Sequence, residues 1–344
     1  MAVQPYVRDL LDWIELDSTT GAEAAYADAL AAALRRAGFD VELQPVAPGR
    51  SNVFARAGRP EVLFCTHLDT VPPYFGGCVA DGYVFGRGAC DAKGQAAAML
   101  EAGRRLLAAG ERRFGYLFTV GEERDSIGAK AADAALADPA FRDAWAPRYT
   151  VVGEPTGNRF ARGHKGLFYA RLEAAGVMGH SSQAVGPSAV HELVRAAARV
   201  LDVPLAEDPE LGPGTLNIGT IAGGLATNVV APHATCELLA RIVEPPRAVE
   251  ERVRAALGPH VALTAPSANY GPVRFHVPEG EPSIAVAFGT DAPHMRRFGT
   301  PLLFGAGAIL DAHTAGEKVG LAELDACAAR HVRLATELAA RPRE

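Results

Sequence analysis

Four short stretches of this sequence carry side chains able to bind a cation or move a proton, and each follows an apolar run. His67-Leu68-Asp69 follows Val62 to Cys65, Glu122-Glu123 follows Tyr116 to Val120, Glu154 follows Tyr149 to Val152, and Asp311-Ala312-His313 follows Pro301 to Gly305. A fifth group, Asp91, sits in the glycine-rich stretch Gly86 to Gly94. With neutral imidazoles, Asp91, Glu123 and Glu154 bring three negative charges, and a hydroxide makes four, the charge of two divalent cations. Nitrogen and oxygen donors without thiolate suit a hydrolytic zinc, cobalt or manganese centre better than a structural zinc site, which favours cysteine. Residues two apart on an extended backbone point the same way, so Asp69 is placed to receive the free N–H of His67 and fix its tautomer. Adjacent Glu122 and Glu123 at a strand end take opposite orientations. That leaves Glu123 for a metal and Glu122 as the general base that takes a proton from the attacking water.

Such groups can meet only if the strands before them end on one edge. The continuous apolar runs read as buried strands, and Ala22 to Gly38 and Gly94 to Ala109 read as helices between them. That alternation predicts an α/β layer, whose ligands gather at the carboxyl ends of the strands. From Gly166 the order changes to strand, helix, strand, strand, helix, strand: Leu167 to Glu173, Ser188 to Leu201, Thr215 to Ile221, Thr235 to Val243, Ala248 to Leu257, and Val261 to Ala265. This is a split βαβ, or ferredoxin-like, order. The late strand and a closing helix, Leu321 to Leu338, return to the first layer. The expected division is a catalytic domain of residues 1–165 and 273–344 interrupted by an inserted domain of 166–272.

Composition narrows the function classes. The chain has 344 residues, with 34 Lys+Arg against 40 Asp+Glu and a formal charge of −6, which gives no general pull on nucleic acid. Half of it is hydrophobic (49%), enough for large cores, so global disorder is excluded. No uncharged apolar run approaches the roughly 18 residues a membrane span needs. Arg8, Asp9 and Asp12 interrupt any signal-peptide core. The five cysteines form no C-x-x-C pair and leave at least one thiol free, so a reducing, cytoplasmic compartment is expected. Gly86-Arg87-Gly88 is not a nucleotide loop: Asp91 takes the place of the third glycine, and no Gly-Lys-Ser/Thr follows.

His67-Leu68-Asp69-Thr70-Val71-Pro72, Gly86 to Gly94, Gly121-Glu122-Glu123, Gly153-Glu154-Pro155-Thr156, Gly179-His180-Ser181-Ser182 and Ala312-His313-Thr314 follow one another in an order that resembles a known group. It is the metallohydrolase family that includes acetylornithine deacetylase, succinyl-diaminopimelate desuccinylase, aminoacylase and certain carboxypeptidases. The resemblance covers nearly the whole chain. It implies a mixed-sheet, zinc-peptidase-like catalytic domain with a ferredoxin-like lid that also forms a homodimer. It further implies two zinc ions, replaceable by cobalt, with Asp91 bridging, His67 and Glu154 on one ion, and Glu123 and His313 on the other. By the same resemblance His180 reaches across the dimer to polarise the scissile carbonyl, and Asn228 and Arg241 hold the substrate carboxylate. Gly163-His164-Lys165-Gly166 tilts the resemblance towards deacetylases of acetylornithine or acetylcitrulline, with His164 and Lys165 as substrate contacts. The implied reaction is removal of an acyl group, acetyl in the first instance, from the α-nitrogen of an amino acid. Desuccinylation, carboxypeptidase or dipeptidase action, and amino-acid binding without catalysis are the alternatives. One departure stands beside the paired glutamates, where Gly121 replaces the family's usual aspartate.

Overall fold

The computed structural model describes residues 4–183, 185–265 and 269–342 and divides them between two compact units. The first takes in the described residues within 1–162, 274–284 and 290–344, and the second those within 163–273 and 285–289. These divisions fall at 162/163 and 273/274, where the sequence reading has 165/166 and 272/273. Residues 285–289, expected in the catalytic part, group with the second unit. Residues 1–3, 184, 266–268 and 343–344 of the expected ranges lie outside the described residues.

The first unit is built on a six-stranded mixed sheet in the order Asp40–Ala47, Arg50–Arg56, Phe114–Thr119, Val62–His67, Tyr149–Val152, Thr300–Leu303. The last four strands are mutually parallel, and the first two form an antiparallel hairpin at one edge. Side chains alternate across the strands, and both faces are apolar because both are covered. Val53, Ala55, Phe64, Tyr116 and Phe118 pack in one core with the helices Pro5–Ile14, Ala24–Arg36, Lys93–Ala108 and Leu321–Ala339. Their neighbours Phe54, Leu63, Cys65 and Leu117 form a second core with Ala129, Ala132 and Trp145 of the helices Ile127–Ala135 and Pro139–Trp145 and with Leu136 just after the first of them.

The second unit carries a four-stranded antiparallel sheet in the order Thr215–Gly223, His233–Ile242, Gly166–Ala175, Val261–Thr264. With the helices Ala189–Leu201 and Pro246–Ala256 this is the ferredoxin-like arrangement. Only one face of the sheet is covered. Phe168, Ala170, Leu172 and Ala174 alternate into a core with Leu193, Ala196, Val200, Val249 and Val253. Among the described residues no helix is long and apolar enough to cross a membrane.

Candidate metal centre

Because the last four strands of the first unit's sheet are parallel, the residues that follow them share one edge of the sheet. There the Nε2 of His67 lies 2.9 Å from Oδ1 of Asp91, and the Nε2 of His313 lies 2.9 Å from Oε1 of Glu123 and 3.2 Å from Oδ2 of Asp91. One ligating atom each from His67, Asp91 and Glu123 falls within 4.8 Å of the others. Asp91 therefore stands between the two histidines. Glu154, buried at the end of Tyr149–Val152, acts electrostatically on both Asp91 and Glu123.

The electrostatics are those of an acid-rich pocket in low dielectric. Burial, then the charge of Asp91, pushes the Glu154 carboxyl well above the usual carboxylate range. Burial does the same to Glu122, with Glu154 and Asp291 adding to it. Burial opposes ionisation of Asp91 as well, but hydrogen bonds to His313 and His67 hold its carboxyl below its ordinary value. Hydrogen bonds to Asp91 and Glu123 push the His313 imidazole up to about 10. Two imidazoles and several close carboxylates are the nitrogen and oxygen donors that divalent zinc, cobalt or manganese takes, and a cation relieves the repulsion among the acids. The residues fit a divalent metal.

Two local geometries differ from the expectation drawn from extended strands. The His67 Nδ1–H donates to the backbone carbonyl of Asp69 at 2.9 Å, whereas the nearest Asp69 carboxylate oxygen is 3.5 Å away. The tautomer of His67 is thus set chiefly by main chain. The Asp69 carboxylate accepts instead from the backbone N–H groups of Glu122 (3.0 Å) and Glu123 (3.2 Å) and from Thr20 Oγ1 (2.8 Å). Glu122 and Glu123 lie in a turn past the strand end at Thr119, so strand alternation does not orient them. Gly121 opens that turn at φ +78°, and a side chain there would meet Arg50, Ile127 and Asp125 within about 3 Å. A non-glycine residue at 121 would be strained by that φ, and Arg50, Ile127 and Asp125 would have to shift to admit its side chain. Arg50, bound to Glu23 through Nε at 2.9 Å, fills the space.

His180, Asn228, Arg241, His164 and Lys165 all belong to the second unit. Gly179–His180 pairs with Val229–Val230, and the carbonyl of Asn228 accepts from Ser181 N–H at 3.0 Å, which brings His180 and Asn228 together. His180 is exposed, with Nδ1 2.7 Å from Ser182 Oγ. His164 is fully buried, and burial with the nearby charge of Arg241 lowers its pKa to about 4, so it is neutral. Lys165 donates Nζ to the carbonyl of Pro213 at 2.6 Å.

Several residues around the centre escaped the reading of the sequence. Asp291 is buried, accepts from Thr119 Oγ1 at 2.7 Å and is pushed up to about 6 by burial. Its only sequence signal was its place three residues before His294. Arg87, Gln95 and Glu317 are buried beside the Asp91 loop. Arg87 stood inside a motif already singled out. Glu317 had no such signal.

Comparison with known proteins bears on the family and the fold. A peptidase M20 domain-containing protein of Schizosaccharomyces pombe is 34% identical, covering 90% of this chain and 79% of its own length. A protein of Aspergillus terreus named as a probable carboxypeptidase is 32% identical, with 93% and 83% covered. Among solved structures, aminopeptidase PepT from Bacillus cereus superposes with a TM-score of 0.80 at 23% identity, over 97% of this chain and 98% of that one. A family M20 metallo-carboxypeptidase from Sulfolobus solfataricus gives 0.79 at 16% identity, over 98% and 99%. Peptidase family M20/M25/M40 matches residues 63–337. The chain belongs to this family and is a metallohydrolase acting on amide or peptide bonds.

Proposed function

We propose that the chain cleaves an amide whose nitrogen belongs to an amino acid with a free carboxylate: the last bond of a dipeptide or short peptide, or the acyl bond of an N-acylated amino acid. The observation that carries this is the gathering of His67, Asp91, Glu123 and His313, with Glu122 and Glu154, at one sheet edge. The name of the Aspergillus terreus relative favours the carboxypeptidase or dipeptidase form. N-acetylornithine and N-acetylcitrulline share the same amide and carboxylate. They stand as the second form, supported by Gly163-His164-Lys165-Gly166.

His67 and Glu154 would hold one cation and Glu123 and His313 a second, with Asp91 between them; zinc fits, and cobalt can replace it. When bound, the metal supplies Lewis acidity towards the carbonyl and a lowered pKa for water. Glu122, whose carboxylate burial makes a stronger base, takes the proton of the attacking water in that ionised form and, as the acid so formed, returns it to the departing amine. His180 donates to the developing oxyanion. Arg241 and Asn228 receive the carboxylate, for which a guanidinium fork is well shaped. A homodimer through the second unit is supported by its bare edge strand Thr215–Gly223. There Ile221 and, on the adjoining helix, Val194 are exposed beside a groove of about 190 Å³. Five unpaired cysteines support a cytoplasmic location.

The test is a turnover panel with zinc- or cobalt-loaded protein: dipeptides, benzyloxycarbonyl-blocked dipeptides, acetyl-ornithine, acetyl-citrulline and succinyl-diaminopimelate. Carboxylate-bearing amides should be cut and their C-terminal amides spared. Glu122→Gln should lose turnover by roughly 10²–10⁴-fold with metal content unchanged. Tight binding of these compounds without turnover would instead support a non-catalytic amino-acid binder.

A further inference from the structure

The loop carrying Asp91 and the loop carrying His313 are separate stretches of chain, and two buried side chains of the first unit tie them together. Gln95 donates Nε2 to the carbonyls of Cys90 (2.8 Å) and Ala306 (2.7 Å) and accepts at Oε1 from Ala306 N–H (3.0 Å). Glu317 makes the second tie. Its Oε1 accepts from the backbone N–H groups of Cys90 (3.2 Å) and Asp91 (3.1 Å), and its Oε2 is 2.6 Å from Nη1 of Arg87. Both charges of that pair are buried. Arg87 is in turn fixed, with Nε donating to the carbonyl of Pro73 at 3.2 Å and Cζ 4.8 Å from the ring centre of Phe75.

The backbone of Glu317 is anchored as well. Its carbonyl accepts from Gly86 N–H at 3.0 Å, and the following strand Lys318–Gly320 pairs with Tyr83–Phe85. Four residues upstream, His313 sits at φ +63°, a left-handed conformation that a β-carbon disfavours and that surrounding structure must impose. A further buried carboxylate next to Asp91 adds negative charge to a pocket already rich in it. Arg87 offsets that charge, and a single carboxylate oxygen takes two successive peptide N–H groups. An apolar residue of similar size would bury without either requirement.

Resting on the two-metal reading above, we propose that Glu317, neutralised by Arg87, is a positioning residue of the metal centre. By holding the two peptide units that lead into Asp91 it sets the direction in which the Asp91 carboxylate meets His67 and His313. It touches no substrate. It acts through Asp91.

The first readout needs no metal. In native, metal-free protein the amide hydrogens of Cys90 and Asp91 should be protected from exchange; free exchange at both overturns the proposal. Glu317→Gln keeps the volume, loses the charge and turns an amide N–H₂ towards donors. It should speed exchange at those two amides at least about tenfold and weaken zinc affinity roughly 10–100-fold, read by competition with a chelating dye. If that variant does not fold, Arg87→Met/Glu317→Leu removes both charges together and is read in the same way. Asp133→Asn, which breaks the Arg297 pair elsewhere in the same unit, should cost stability but leave zinc affinity unchanged. A folded Glu317 variant with native exchange and native zinc affinity refutes the role. Native protein that takes up no zinc refutes the two-metal reading instead, and the exchange data still decide whether the clamp exists.

Discussion

Replacing Asp69 by asparagine separates two roles that one carboxylate next to a histidine could play. In the structure Asp69 is fully buried and accepts three short hydrogen bonds, from Glu122 N–H, Glu123 N–H and Thr20 Oγ1. An asparagine keeps one acceptor oxygen and presents a donor in place of the other. At least one of the two peptide N–H groups then loses its partner and faces a second donor. Hydrogen bonds to a charged group are worth about 1.5–3 kcal/mol, so a stability loss of roughly 2–3 kcal/mol is expected. For a unit of this size that lowers Tm by about 5–10 °C. The His67 Nδ1–H is already satisfied by the Asp69 carbonyl, which the substitution keeps. Metal content should therefore stay close to native, while kcat falls roughly 10–100-fold because the turn carrying Glu122 and Glu123 is loosened. Thermal unfolding, elemental analysis and steady-state kinetics on one preparation decide the matter. Loss of metal with native Tm would mean that the carboxylate serves His67 directly, and native kcat with native Tm would refute the argument outright.

His331 makes a pH prediction away from the metal centre. It is buried between the rings of Phe64 and Phe304, its Nδ1 lacks a hydrogen-bond partner among the described residues, and burial, then Arg330, lowers its pKa to about 3. The unfolded chain binds its proton near pH 6.5 and the folded chain does not, so stability is lost as pH falls through this window. At pH 5 the loss relative to pH 7.5 is about 2 kcal/mol. In urea unfolding of metal-free protein, the stability of the native chain relative to His331→Met should fall by that amount between pH 7.5 and pH 5; a difference that does not change with pH contradicts the assignment. Lys93→Met should destabilise by roughly 2–4 kcal/mol, because the buried Nζ satisfies the carbonyls of Trp13 and Leu16 at the end of the first helix; an unchanged urea midpoint would count against this. Gly121→Asp, which restores the family's usual residue, should lower Tm by several degrees; a rise would show that Arg50 and Asp125 yield to it.

The parts of the molecule that the sequence announced are those where burial leaves a periodic mark. Val62 to Cys65, at the start of the strand Val62–His67, is covered on both faces and reads as an unbroken apolar run, and Tyr149–Val152 is nearly one. The polar residues after them therefore located the sheet edge. Gly166–Ala175 alternates strictly because one face is bare. The edge hairpin Asp40–Arg56 went unread: its first strand, DVELQPVA, is half exposed along its length and mixes polar with apolar residues without a clean period. The turn at Gly121 was equally opaque. Strand alternation cannot orient Glu122 and Glu123, because a positive φ at Gly121 ends the strand geometry before them. Glu317 and Asp291 were invisible for another reason. Their significance lies in backbone N–H groups and hydroxyls they meet more than 170 residues away, and no local pattern encodes a partner at that separation.

If the acids and imidazoles at this edge bind divalent metal, that metal drives amide cleavage. Elemental analysis of zinc-reconstituted native protein and of Asp91→Ala, with turnover of a dipeptide measured on the same samples, tests it most directly. About two zinc ions per native chain are expected, with loss of most metal and essentially all turnover in the variant. Native protein free of zinc, or an Asp91→Ala chain that keeps both metal and activity, would contradict it.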